Sequence, residues 1–214
     1  GEESRRQLRG HHPDRVCLTH PARWGSARQN VLLAAARAAG WGGAISLVPE
    51  PVAAAAHFAS LPGNTMPPGA ALAVYDLGGG TFDCAVVGAT PGGFTVLAEA
   101  GLPDVGGVDF DQLIVDHLGR TVAAADPGRW QSLTRPRTAG DRRAARSLRE
   151  DVRAAKETLS RYSQADLPLP EPFEDTLLTR REFDGLIRPS IVRTVEVLAS
   201  TIQRAGVTPQ RLAG

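Results

Sequence analysis

Residues 71–88 read ALAVYDLGGGTFDCAVVG. Two apolar runs, 72–75 and 82–87, are pinched around Asp76-Leu77-Gly78-Gly79-Gly80-Thr81. Both runs are rich in β-formers and bounded by glycine, so the stretch reads as strand–turn–strand. Three glycines in a row exceed what a hairpin turn needs. Without Cβ atoms, Gly78, Gly79 and Gly80 can take positive φ and let a backbone approach a ligand closely. Successive amide N–H groups in such a turn form a concave anion site. Thr81 adds a hydroxyl donor, and Asp76 puts a carboxylate at the rim. A carboxylate beside a phosphate cradle holds hydrated Mg²⁺ or orients an attacking water. The plain alternative is a glycine-rich hairpin whose acidic flanks serve solubility.

At 214 residues the chain has room for one large or two small domains. Its 24 basic and 23 acidic residues leave a net charge of +1, so no global field points to nucleic acid or a membrane. No apolar run approaches the roughly 20 residues that span a bilayer, and no charged start followed by an apolar core reads as a signal peptide. Cys17 and Cys84 each sit in an apolar, β-like run and are expected as buried free thiols of a reducing cytoplasm. Lys156 is the only lysine in the sequence.

Residues 1–14 are polar and aperiodic, expected as a loop or a cut end. A short strand is predicted over 15–19, stopped by Pro21. An alanine-rich helix follows over 26–40, with Ser26 as N-cap, Gly40 as C′ residue, and Val31, Leu32, Ala35 and Ala39 on one apolar face. A strand over 44–48 leads through Pro49-Glu50-Pro51 into a second helix over 52–60, which places Glu50 at a strand-to-helix corner. There it either serves function or merely satisfies the helix dipole. The Pro/Gly stretch 61–69 is the candidate boundary between lobes. A third antiparallel strand is expected over 94–99. The Gly/Asp loop 101–111 then enters a helix over 112–125, and its paired glycines suit either a phosphate or a tight turn. Residues 126–140 read as loop. A charged helix over 141–161 carries Ala145, Leu148, Val152, Ala155 and Leu159 at helical spacing. Its arginines alternate with Asp141, Glu150, Asp151 and Glu157, the pattern of a solvated face rather than a nucleic-acid surface. Residues 166–173 form an edge strand at most. A last helix runs from 179 or 180 to 205, open to a break at Pro189, and no structure is expected to cap the segment 212–214. No metal-ligand spacing of Cys and His occurs, nor a Gly-x-Ser-x-Gly turn, which disfavours a zinc enzyme or a serine hydrolase.

Several motifs in order resemble one family. Residues 76–83, DLGGGTFD, resemble the second phosphate motif of the heat-shock protein 70 (DnaK-type) chaperones, which share the actin-like ATPase fold. Thr19-His20-Pro21-Ala22 is similar to that family's Thr-Val-Pro-Ala, and Glu50-Pro51-Val52-Ala53-Ala54-Ala55 to its Glu-Pro-Thr-Ala-Ala-Ala. Gly106-Gly107-Val108-Asp109-Phe110-Asp111, Ala155-Lys156-Glu157-Thr158-Leu159-Ser160 and Thr179-Arg180-Arg181-Glu182-Phe183 resemble further family segments. The matches run from about residue 15 to the end.

The resemblance implies an α/β, actin-like ATPase (ribonuclease H-like) fold, partial. It comprises the second half of lobe I over 1–68 and most of lobe II over 69–214, with a helical insert near 112–185. It implies ATP or ADP with Mg²⁺, and K⁺ as a possible further ion. Gly78, Gly79, Gly80 and Thr81 would hold the β- and γ-phosphates, with Gly106 and Gly107 lining the phosphate side. Asp76 would contact metal-bound water and orient the nucleophile, and Glu50 would act on the same hydrated metal from the other lobe. Asp83 would serve the cation environment, through water or a monovalent ion. Lys156 and Ser160 would reach the adenosine, and Pro21 would be the allosteric hinge. The implied parent is a cytoplasmic chaperone that couples ATP turnover to binding and release of unfolded polypeptides, with co-chaperones as partners.

The chain also departs from the family. The first phosphate loop with its catalytic lysine, the closing adenosine motif and the peptide-binding domain are not seen, so a fragment with weak nucleotide binding and little hydrolysis is expected. Gln29 stands where an arginine is expected, Val108 replaces an acid, and Arg153 and Glu157 replace the usual Glu and Arg beside Lys156. Pro49 replaces an asparagine. Rival readings are an actin-like filament or cell-shape ATPase, a sugar kinase or exopolyphosphatase of the same superfamily, and a non-catalytic scaffold.

Overall fold

A computed structural model describes residues 13–41 and 43–214; the expectation for the first 12 residues lies outside them. The chain divides into two compact units. The first takes the residues up to 76 together with 83–100 and 197–214, and the second takes 77–82 and 101–196.

In the first unit, β1 (Arg15–His20) and β2 (Ala44–Pro49) pair in parallel, from Arg15 opposite Ala44 to His20 opposite Pro49. Parallel neighbours need a crossover, and α1 (Ser26–Ala38) supplies it. Gly25, in extended conformation, occupies the N-cap with no side-chain bond, so the cap expected at Ser26 is one residue late. The other end is as expected. Gly40 takes φ 82°, and its amide donates to Arg37 O while the Trp41 amide reaches back to Ala36 O, a left-handed turn that only glycine enters freely. No residue of α1 is buried. α2 (Glu50–Ser60) starts directly after β2 with Pro51 in its first turn, so Glu50 itself opens the helix.

The strands β3 (Ala71–Leu77), β4 (Phe82–Thr90) and β5 (Gly93–Leu102) form a sheet of that order, with β4 central. A central strand has no solvent edge, which accounts for the nearly continuous burial of 82–89. Ala55, Leu72 and Val87 are buried together, with Phe58, Met66, Val74 and Phe94 packed around them. The tail does find a partner, contrary to expectation. Leu212 bridges Ala71 in parallel, the Ala213 amide donates to Ala71 O at 2.7 Å, and Gly214 O accepts from the Ala73 amide. Cys84 is buried as expected, whereas Cys17 is exposed on β1; both thiols are free.

The second unit is built on helices. α3 (Gly107–Val122) begins five residues before the expected position, because its N-terminus grows straight out of the paired glycines. Residues 126–140, expected as loop, contain α4 (Pro127–Thr134). Pro127 sits in its first turn, and the Asp126 carboxylate accepts from the Arg129 amide at 2.8 Å. α5 (Ala139–Leu159) opens on a full capping box, with Thr138 Oγ1 accepting from the Asp141 amide and Asp141 Oδ2 from the Thr138 amide. Its stripe of Ala145, Leu148, Val152, Ala155 and Leu159 is buried to the last residue. That stripe packs with Ile114 and Leu118 of α3 and Leu133 of α4, and Trp130 stands edge-on to Phe173 with ring centroids 5.7 Å apart. Burying one such leucine is worth about 1.5–3 kcal/mol. A short antiparallel pair, β6 (Gln164–Leu167) and β7 (Thr176–Thr179), covers the cluster with Ala165, Leu167 and Leu178. β7 was not foreseen. α6 (Arg180–Arg204) passes Pro189 without a break. The carbonyl a proline ring crowds is four residues back, and that residue is Gly185, whose backbone yields most easily.

Candidate functional site

The glycine turn belongs to the second unit. The Gly78 amide donates to Thr81 O at 2.9 Å and closes a tight turn with Gly79 and Gly80 at its tip. None of the three takes positive φ, so the expected reason for these glycines is corrected. Close approach requires glycine at Gly106 instead. The Gly107 and Val108 amides donate to Gly78 O and Gly79 O at 3.0 and 2.8 Å, locking the turn onto the start of α3. A Cβ on Gly106 would lie 2.6–2.7 Å from the backbone of Gly80. On their other side Gly79 and Gly80 face open space, with nothing within 4 Å of a Cβ built there. Among the described residues no hydrogen bond uses either of their amides. Two unspent N–H groups on an open, glycine-lined tip fit an anion such as a phosphate.

Lys156 and Asp111 complete this cluster. Lys156 Nζ donates to Gly107 O at 2.7 Å and lies 2.6 Å from Asp111 Oδ1, both side chains being largely buried. The lone lysine therefore ties α5 to the first turn of α3 and holds the carbonyl side of the glycine loop. Asp111 was quoted within a motif but not singled out; the signal was an acid one helical turn beyond the paired glycines. Ser160 stands at the C-cap of α5, where its hydroxyl donates to Glu157 O at 2.6 Å. Arg153 and Glu157 pair with one another across one turn at 2.9 Å on the exposed face.

The carboxylates expected at the metal belong to the first unit. Glu50, Asp76, Asp83 and Glu99 line a cavity of about 270 Å³ whose wall also includes Pro21 and Arg23. Partial burial, then the charges of Asp76 and Asp83, push the Glu50 carboxyl above its ordinary range, against a smaller opposing effect of His20. A carboxylate raised by its acidic neighbours marks a place where a cation relieves repulsion, so Glu50, with Asp76 beside the same cavity, fits a hydrated Mg²⁺. Among the described residues no three acids, histidines or cysteines are close enough to grip a bare ion. Pro21 follows β1 directly. Its carbonyl accepts from His20 Nδ1 at 2.8 Å and from the Trp24 amide at 3.0 Å, and Gln29 Nε2 donates to Trp24 O at 2.8 Å. Gln29 thus fastens the loop after Pro21. Arg23 forms an ion pair with Asp83, a contact sequence reading missed because 60 residues separate the partners. Asp76 and Gly78 are two residues apart at the end of β3, so carboxylate and turn are neighbours along the chain.

A family model described as Hsp70 protein matches residues 3–213. The chaperone protein HscA of Pectobacterium carotovorum is 34% identical over 200 residues, which cover 94% of this chain and 29% of HscA. An HscA homologue of Bordetella pertussis is 36% identical over 201 residues, covering 89% of this chain and 28% of the homologue. A heat shock protein of the fungus Pyricularia oryzae is 33% identical over 167 residues, with 76% of this chain and 26% of the fungal protein covered. The chain thus spans less than a third of the length of these relatives. Coverage of nearly every described residue, with the glycine turn and the Gly106 loop locked together inside it, shows that the chain belongs to the heat-shock protein 70 family and carries part of its actin-like ATPase fold.

Proposed function

We propose that this chain is part of the nucleotide-binding domain of an ATP-hydrolysing chaperone that couples ATP turnover to binding and release of unfolded polypeptides. The observation that carries the reading is the open tip of Gly79 and Gly80, held rigid by the Gly106 loop and offering two unspent amides. The β- and γ-phosphates of ATP or ADP are the anions this tip suits, with the Thr81 hydroxyl beside them. Bound Mg²⁺ supplies charge neutralisation of the phosphates. Asp76 and Glu50 would be the carboxylates that hold and orient water on such an ion, and Asp76 would be the one to position an attacking water. Lys156 acts on the adenosine side and keeps Gly107 in place, with Ser160 at the end of the same helix. Such catalysis is positioning and electrostatics, with little covalent work for the protein.

In this reading residues 1–68 are the C-terminal half of lobe I, and residues 69–214 are lobe II with a helical insert near 112–185. Pro21 is the hinge through which nucleotide state is passed on. Clients and co-chaperones engage the whole protein. No described helix is long and apolar enough to cross a membrane, and the two free thiols agree with a cytoplasmic setting.

Calorimetric titration of Mg·ADP and Mg·ATP into this chain, beside Thr81→Val and Asp76→Ala, tests the reading. The expected result is weak binding to the native chain that both substitutions lower further. Binding unchanged by either substitution, or absent even from a version extended at both ends, would favour a scaffold that has kept the fold without the chemistry.

A further inference from the structure

Three carboxylates of the first unit, Glu50, Asp76 and Asp83, border one cavity, and Glu99 lines it as well. Such a concentration of negative charge calls for cations. One is already present as a side chain. Arg23, two residues beyond Pro21, lines the same cavity and places its Nη2 on Asp83 Oδ1. Guanidinium is a permanent cation whose charge does not depend on pH or ion concentration. A carboxylate in contact with it has given part of its lone-pair capacity to a covalently tethered cation, even though its charge is still felt at Glu50. A monovalent ion such as K⁺ takes several oxygen ligands and would have to displace the guanidinium to reach Asp83. The expectation of an ion at Asp83 therefore does not fit this structure.

We propose that Arg23 is a built-in cation of the acidic cavity, occupying at Asp83 the place a bound monovalent ion would otherwise take and making the cavity indifferent to K⁺. The two arrangements differ in physics. A free ion must be bound from solution at an affinity set by its concentration, and it can leave. The guanidinium is held nearby by the short turn between β1 and α1, so its effective concentration is high whatever the salt. The same tether links the loop after Pro21 to the first residues of β4. Loop position and charge balance of the cavity are thereby set by one side chain. Both partners remain about two-fifths exposed (46% and 36%), so the pair stabilises the fold little and matters through which cation it excludes.

The proposal concerns the charge balance of the cavity and is testable without nucleotide, so its failure and that of the nucleotide reading are told apart. Thallium(I), a spectroscopic stand-in for K⁺, is titrated into the native chain, Arg23→Gln, Arg23→Lys and Arg23→Gln/Asp83→Asn, with binding followed by thallium NMR. The native chain and Arg23→Lys are expected to show no saturable site. Arg23→Gln is expected to show a saturable site that the native chain lacks, at least about tenfold tighter than any residual non-saturating association, the scale of one close carboxylate–cation contact near a surface. The added Asp83→Asn should abolish that gain. Saturable thallium(I) binding to the native chain that Asp83→Asn removes would overturn the proposal. So would an Arg23→Gln chain, folded by circular dichroism, that gains no binding, since the guanidinium would then displace nothing.

Discussion

Helices α1 and α5 look alike in the sequence and differ in the structure. Both are rich in alanine and arginine, and both carry apolar residues at helical spacing. On α5 every residue of the stripe is buried, against α3, α4 and the β6–β7 pair. On α1 none is, and Val31 is 70% exposed. The difference teaches that periodicity names the face a helix offers and is silent about whether a partner meets it. Helical stability in proteins comes mainly from that meeting. α5 therefore owes its stability to a fully buried face, whereas α1 has only the half-buried side of Gln29, Leu32, Leu33 and Ala36, together with propensity and its Gly40 terminus.

Core truncation should break the comparison most visibly. Leu148→Ala is expected to lower the unfolding free energy by about 2–5 kcal/mol, whereas Val31→Ala should stay within about 0.5 kcal/mol of the native chain. Urea unfolding followed by circular dichroism measures both, and equal losses would show that α1 is packed after all. Next in size is a contrast between two glycines. Gly106→Ala pushes a methyl into the Gly80 backbone and should cost about 1–3 kcal/mol of stability. Gly79→Ala meets open space and should leave the thermal midpoint nearly unchanged, yet weaken Mg·ADP by about tenfold if a phosphate sits on this tip, because the added methyl takes up the ligand's side. A Gly79→Ala chain that loses stability instead would make the tip a structural turn.

Two smaller effects carry opposite pH signs. The capping box at the start of α5 holds the Asp141 carboxyl below its ordinary value, chiefly through the Thr138 hydroxyl and then its amide. Its stabilisation is present above the ordinary carboxylate range and is lost as pH falls through the lowered value. Thr138→Ala should therefore lower the thermal midpoint by less than Gly106→Ala does, with a deficit that shrinks in acid. Glu50 is displaced upward, so ionising it in the folded chain costs stability, and that cost appears as pH rises from the ordinary value through the raised one. Glu50→Gln should be slightly more stable than the native chain at neutral pH and equal to it in acid. A Glu50→Gln chain less stable at neutral pH would mean that the carboxylate is stabilised by a partner rather than crowded by Asp76 and Asp83.

Much of the fold was legible because its signals are local. The strands around DLGGGTFD, the Gly40 terminus and the α5 stripe each follow from a few neighbouring residues. Residues 126–140 misled because Pro127 and Gly128 read as loop. The deciding feature was the Asp126 cap, which turns a proline in the first turn into a start signal. β7 was missed because a four-residue strand exists only through its pairing with β6. Cys17 was expected inside because β1 is apolar, but a two-stranded sheet leaves part of each strand uncovered.

The site divides along the same line. Which residues carry charge, which lack a Cβ and which motifs name the family were all determined by the sequence alone, since chemistry and order along the chain are its direct content. Only the tertiary structure decided that Gly106 is needed for close approach to Gly80, that Lys156 is held by Asp111 and Gly107, and that Asp83 is answered by Arg23. Each of these is a contact between groups separated by 26 to 60 positions. A contact of that kind is fixed by how whole elements pack, which local propensity does not encode.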